Sequence, residues 1–167
     1  MMYIQAAQLL WNKNKQIWRT RMREKQNNGP YNIFAEAEII VEFNDLDPMK
    51  IVWHANYFNF FEIARRTLLE KIDYDYNQME ESGYAFPVIE ISAKYLASLR
   101  YKDRAIVKAV LMDYENCLKI KYEIRNSATG EITTKGVSTQ MAVDIKKQES
   151  CFVCPKILVD KVEALIK

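Results

Sequence analysis

Apolar positions change their spacing several times along the chain, and each change marks an element. From Ala35 to Phe43, Ala35, Ala37, Ile39, Val41 and Phe43 alternate with Glu36, Glu38, Ile40 and Glu42. A period of two predicts a half-buried strand. In "NYFNFFEIARRTLLEKI" the spacing becomes helical, with Tyr57, Phe61, Ala64, Leu68 and Ile72 on one stripe that Phe58, Phe60 and Leu69 widen. So broad an apolar surface predicts a helix largely enclosed by a sheet. "YDYNQMEES" reads as a shorter helix or irregular connection closed by Gly83. Extended candidates follow in "FPVIEISAKYL", "AIVKAVLM", "LKIKYEIR" and "ITTKGVSTQMAVDI", the last with a bulge or tight approach expected at Gly136. "PKILVDKVEALI" closes the pattern as a C-terminal helix with Pro155 near its start. The expected class is α+β: one antiparallel sheet of about five strands wrapped around one long helix.

Residues 1–34 stand apart from this body. "MMYIQAAQLLWNKNKQIWRTRMREKQ" places Ile4, Ala7, Trp11, Trp18 and Met22 near one face of an amphipathic helix, which stops at "NNGP". Lys13, Lys15, Arg19, Arg21, Arg23 and Lys25 face only Glu24 in charge, so the segment carries +5 and the remainder −3 of the net +2. Docking on the body or a second subunit, peripheral contact with a membrane surface, and a targeting peptide or misassigned start are the three readings; the absence of serine counts against the targeting peptide. The chain therefore divides into a basic extension, 1–34, and one domain, 35–167. A near-neutral body does not suit nucleic-acid binding. No apolar run approaches the roughly 18 residues of a membrane span. Cys117, Cys151 and Cys154 contain one C-x-x-C without a second pair, and the chain's one histidine is far away in sequence, so no metal site is expected. Reduced thiols fit a cytoplasmic protein.

Chemistry concentrates in "EFNDLDPMKIVWHANYFNFFEIAR", Glu42 to Arg65. Pro48 pushes Asp47 out of helical conformation, which leaves its carboxylate at the mouth of the turn. The chain re-forms as a helix near Asn56, the expected N-cap. Free N–H groups of that first turn, with the positive end of the helix dipole, suit an oxyanion or a polarised carbonyl. A carboxylate beside such a site suits acyl transfer, and a thioester above all, because a thiolate leaves with little help from an acid. The sequence has no G-x-S-x-G elbow. An acidic capping turn beside a hydrogen-bonded histidine is the bland alternative, and the residues alone leave it open.

The same run resembles the signature of hotdog-fold acyl-CoA thioesterases of the 4-hydroxybenzoyl-CoA thioesterase type, approximately D-x-D-x-x-G-[VI]-[VY]-[WY]-H-x-x-Y followed by an aromatic helix ending in Arg. Asp45, Asp47, Ile51, Val52, Trp53, His54, Tyr57, Phe61, Glu62 and Arg65 fall in step. The resemblance continues through "GYAFPVIEISAKYLASLRYKD" to about Ile145, and "MEESGYAFPV", "YENCLKIKYEI" and "TGEITTKGVSTQMAVD" resemble thioesterases found alongside aryl-polyene pathways. The resemblance implies hydrolysis of acyl-CoA or acyl-carrier-protein thioesters without a cofactor, in a homodimer or homotetramer. It makes Asp47 the nucleophile or general base, the His54 N–H the carbonyl donor, and the His54 side chain a positioner of substrate or water. Asp45 becomes turn structure, and Trp53 and Tyr57 become candidates to line the acyl site. Lys50 stands where the family usually has Gly, in a turn that can demand positive φ; its amine is a candidate contact for the thioester or the CoA phosphates, as are Arg100, Lys102 and Arg104. The rival readings are a carrier-bound hydroxyacyl dehydratase of the same fold and a non-catalytic acyl-thioester-binding module.

Overall fold

The computed structural model describes residues 28–166, so the helix read over the first 26 residues lies outside the described part. Strand β1, Phe34–Ile40, leads through an irregular turn to the long helix α1, Asn56–Lys71. Helix α2, Tyr76–Ser82, follows, then β2, Tyr84–Ala85, and β3, Val88–Tyr95. The long strands β4, Arg104–Asp113, β5, Leu118–Asn126, and β6, Ile132–Gln140, complete the main sheet. Short strands β7, Val143–Asp144, and β8, Glu149–Ser150, precede α3, Lys156–Ile166. The main sheet is antiparallel throughout, in the order β1-β4-β5-β6-β3. The expected α+β class is found, with three described α-helices.

Two details depart from the sequence reading. "ITTKGVSTQMAVDI" is broken: β6 ends at Gln140, and Val143–Asp144 joins a separate small sheet in the order β2-β7-β8. The strand expected over 35–43 also stops early, and Phe43–Asp45 form a single 3-10 turn. The break after Gln140 has a visible cause, because the Met141 N–H bonds Pro87 and the Cys151 N–H bonds Ala142, which redirects the chain.

Helix α1 buries Tyr57, Phe60, Phe61, Ala64, Leu68 and Leu69 against Ala105, Val107, Ala109 and Leu111 of β4 and Ile120, Tyr122 and Ile124 of β5. At about 25 cal/mol per Å² this apolar burial is the main stabilising term. Phe61 stacks on Tyr122, centroids 4.6 Å apart, and both lie against Gly136. A Cβ at Gly136 would stand 2.4 Å from the Phe61 ring, so glycine is needed there for close approach. Arg65 is buried on the same helix and satisfied by the Glu62 carboxylate at 2.7 Å and the Tyr76 hydroxyl.

On the opposite sheet face, Glu36, Lys108, Glu123 and Lys135 lie side by side on β1, β4, β5 and β6, alternating in sign. Cross-strand opposite charges favour this register while leaving the face wettable. Helix α2 is closed at both ends: the Asp75 carboxylate accepts the Asn77 and Gln78 N–H groups, and Gly83 takes φ 84°.

Candidate active site

The turn between β1 and α1 is held mostly by its own acidic side chains. Asp45 Oδ2 accepts the Glu42 N–H at 2.8 Å, and the Asp45 carbonyl accepts the Trp53 N–H at 2.8 Å and Asn56 Nδ2–H at 3.0 Å. These bonds make Asp45 a structural residue of the turn. Asp47 Oδ1 accepts the Met49 N–H at 2.8 Å and, more weakly, the Ile51 N–H at 3.4 Å. The turn closes on itself: the Asp47 N–H donates to the Ile51 carbonyl and the Lys50 N–H to the Asp47 carbonyl, both at 2.9 Å. Oδ2 of Asp47 has no hydrogen bond among the described residues and remains available. Lys50 takes φ 63°, the left-handed conformation for which the family pattern keeps glycine.

Helix α1 starts one residue earlier than expected. Ala55 is the N-cap and makes no side-chain capping bond, whereas Asn56 is the first helical residue and spends its amide on the Asp45 carbonyl. The difference follows from the fold, since Asn56 anchors the helix start to the preceding turn instead of capping its own N–H groups. Among the described residues the N–H groups of His54 and Ala55 have no hydrogen-bond partner. Uncapped N–H groups at a helix start carry partial positive charge and can receive an oxygen.

A cleft of about 270 Å³ opens beside this turn, with Asp47, His54 and Tyr57 in its wall together with Met49, Ile51 and Val52. Its other wall is the end of β3 and the segment after it, Tyr95 to Ser98. The Val52 N–H donates to the Leu99 carbonyl at 2.9 Å, which ties the two walls together. Tyr95 closes the corner: its hydroxyl donates to the His54 carbonyl at 2.8 Å, and its ring meets Tyr57 edge-on at 5.2 Å. Burial pushes the Tyr57 phenol above its ordinary range, more than the Leu99 N–H and Thr134 beside it pull it down. Burial likewise raises the Tyr95 phenol, so both remain neutral in ordinary buffers.

The remaining candidates lie outside the cleft wall. Trp53 is about half exposed, its ring edge-on to that of His54 at 5.2 Å. Lys50 and Arg100 are exposed on their turns, and Arg104 pairs with Glu38 at 2.9 Å. Lys102 lies over the Tyr101 ring. The sequence reading missed Tyr95, Leu96, Ala97 and Ser98. Their signals were the mostly apolar end of a strand and a family resemblance running through "YLASLRYKD", neither of which showed that the segment returns to a turn some forty residues earlier.

Comparison with known proteins bears on the family and the fold. The model of the thioesterase-like superfamily matches residues 41–160. The chain belongs to this superfamily. The Bacillus subtilis protein named "Putative acyl-CoA thioesterase YneP" is 34% identical over 111 residues, covering 66% of this chain and 80% of that protein. A DHNA-CoA thioesterase from Staphylococcus aureus superposes with TM-score 0.69 and 28% identity, over 79% of this chain and 92% of that one. A variant of 4-hydroxybenzoyl CoA thioesterase, complexed with 4-hydroxybenzoyl CoA, shares the fold at TM-score 0.69 and 14% identity, over 78% and 99% of the two chains. The thioesterase-like chain thus has a hotdog fold, with its long helix cradled by the five-stranded sheet.

Proposed function

We propose that this chain hydrolyses acyl-CoA thioesters to a free acid and a thiol. The observation that carries the reading is the shared cleft of Asp47, with one oxygen uncommitted, and His54, whose N–H is unpaired at the start of α1. The acyl carbonyl accepts a hydrogen bond from the His54 N–H, which favours the negative charge that develops on oxygen as the carbon is attacked. Asp47 Oδ2 either takes the proton of a water that attacks the carbon, or attacks the carbon itself to give a mixed anhydride that water then hydrolyses to restore Asp47. In both the C–S bond breaks and the thiolate leaves, to be protonated by solvent. Tyr57 and the apolar walls at Met49, Ile51 and Leu96 receive the acyl group. Exposed Lys50, between cleft residues Met49 and Ile51, and exposed Arg100, two residues after Ser98, are the candidate contacts for the CoA phosphates. No cofactor takes part in this scheme.

A thiol-release assay across acyl-CoAs, repeated with the same acyl groups on a carrier protein, tests the reading and tells the two thiol carriers apart. Asp47→Asn removes the reactive charge while leaving an oxygen to accept the Met49 N–H, so the fold is retained. Its kcat is expected to fall about a thousandfold or more, comparable to losing a central catalytic group. Turnover close to wild type in this variant would reject Asp47 as the reactive group. Acyl-CoA binding without thiol release by the wild-type chain would favour a binding module.

A further inference from the structure

Tyr95 makes an unusual contact for a residue at the end of an edge strand. Its phenol donates at 2.8 Å to the carbonyl of His54, 41 positions earlier, in the turn that opens α1. That carbonyl and the Ala55 N–H belong to one planar peptide unit, so whatever holds the oxygen also fixes the direction of the N–H. The adjoining His54 N–H belongs to the preceding peptide, whose Trp53 carbonyl accepts the Asn56 N–H at 2.9 Å. Both peptides at the helix start are therefore pinned through their oxygens, and both leave an N–H without a partner among the described residues.

Resting on the hydrolase reading above, we propose that Tyr95 is a positioning residue for the reaction. It aligns the His54–Ala55 peptide and strengthens its N–H as a second donor to the reacting carbonyl. A hydrogen bond accepted by a peptide oxygen draws electron density toward it, which makes the N–H of the same unit a better donor. The edge-on ring contact with buried Tyr57 at 5.2 Å fixes the direction of the phenol. A phenol is protonated in ordinary buffers, and the partial burial of this one pushes its pKa further up, so it is able to donate. The Val52–Leu99 bond and the Leu99 N–H on the Tyr57 hydroxyl also tie the two cleft walls, but among the described residues it is the Tyr95 phenol that holds a peptide oxygen of the helix start itself.

Tyr95→Phe removes one hydroxyl and keeps the ring. The expected result is a kcat about tenfold lower, the size of one ordinary hydrogen bond, with KM within twofold of wild type, a thermal midpoint lowered by no more than a few degrees and the protein fully folded at assay temperature. In 15N- and 13C-labelled protein, the His54 carbonyl carbon and the Ala55 amide should both move upfield in this variant as the hydrogen bond is lost. Wild-type kcat in Tyr95→Phe, or a fall in rate matched by a loss of folded protein, would overturn the proposal. Unmoved His54 and Ala55 resonances would overturn it as well. If the wild-type chain releases no thiol from any thioester, the hydrolase reading fails and the Tyr95 role in catalysis fails with it. The resonances would then report on the contact alone.

Discussion

Lys50 holds a backbone conformation that costs an L-residue about 1–2 kcal/mol, whereas glycine adopts it freely. Glycine in turn loses about 0.5–1 kcal/mol through the greater freedom of its unfolded chain. The first effect is the larger, so Lys50→Gly is expected to stabilise the protein by about 0.5–1 kcal/mol, read from a urea unfolding midpoint. A lower midpoint would mean that the lysine side chain contributes a contact that outweighs the strain. The strained position was legible from the sequence only because the family pattern places glycine there; the residue itself gives no warning. Asp45 and Asp47 also differ in a way that spacing alone could not tell. One spends its carboxylate on a backbone N–H three residues back, and the other keeps an oxygen free beside the cleft.

At the scale of elements, α1 meets β6 at a close ring-to-backbone approach of Phe61 to Gly136. Phe61 is fully buried between Tyr122 and the bare backbone of Gly136. Gly136→Val would drive two methyl groups into a ring already in contact, and overpacking of this kind costs about 1–3 kcal/mol. Phe61→Leu withdraws the ring, so it should cost stability alone but recover part of the loss when combined with Gly136→Val. A double-mutant cycle on thermal or urea unfolding measures that coupling, and strict additivity would refute the contact. The broad apolar stripe of α1 and the alternation of β4 and β5 were readable because each element is amphipathic over a whole face. The destination of β3 was not, since its pairing with the neighbouring β6 joins residues about forty to fifty positions apart. The same long-range return brings Tyr95 to His54, and local periodicity carries no trace of it.

For the whole molecule, buried weak acids set an alkaline limit. Burial, then the neighbouring Cys117 thiol, Asp113 and Cys151, pushes the Cys154 thiol up from 9.0 to about 12, and burial likewise raises the phenols of Tyr57, Tyr74 and Tyr122. Well below pH 9 the thiol is protonated both folded and unfolded and does not alter stability with pH. Between about 9 and 12 only the unfolded chain releases the proton, so stability falls as pH rises through that window. The urea midpoint should be flat from pH 7 to 8.5 on this account, by about the spread of repeat measurements, and decline above it. The other property of this scale is association. Strand β3 lies at the sheet edge with its second side unpaired, yet it exposes apolar Val88, Ile89 and Tyr95, followed by Leu96; Ile89 is 56% exposed. Edge strands that stay single are usually guarded by charge or proline; β3 follows Pro87 and carries exposed Glu90 and Lys94, but at both ends it also exposes apolar side chains, the later ones continuing into the cleft wall at Tyr95–Ser98. A second copy paired antiparallel along β3 would extend the sheet across a twofold axis and cover those side chains beside each cleft. Sedimentation of the wild-type chain at assay concentration is expected to give a dimer or a dimer of dimers. Ile89→Lys, which puts a charge on the uncovered edge without touching the cleft wall, should shift it toward monomer. If each cleft needs its neighbour, kcat/KM falls in step with the dissociated fraction; a fully active monomeric variant would confine the site to one chain, and a monomeric wild type would remove the pairing altogether.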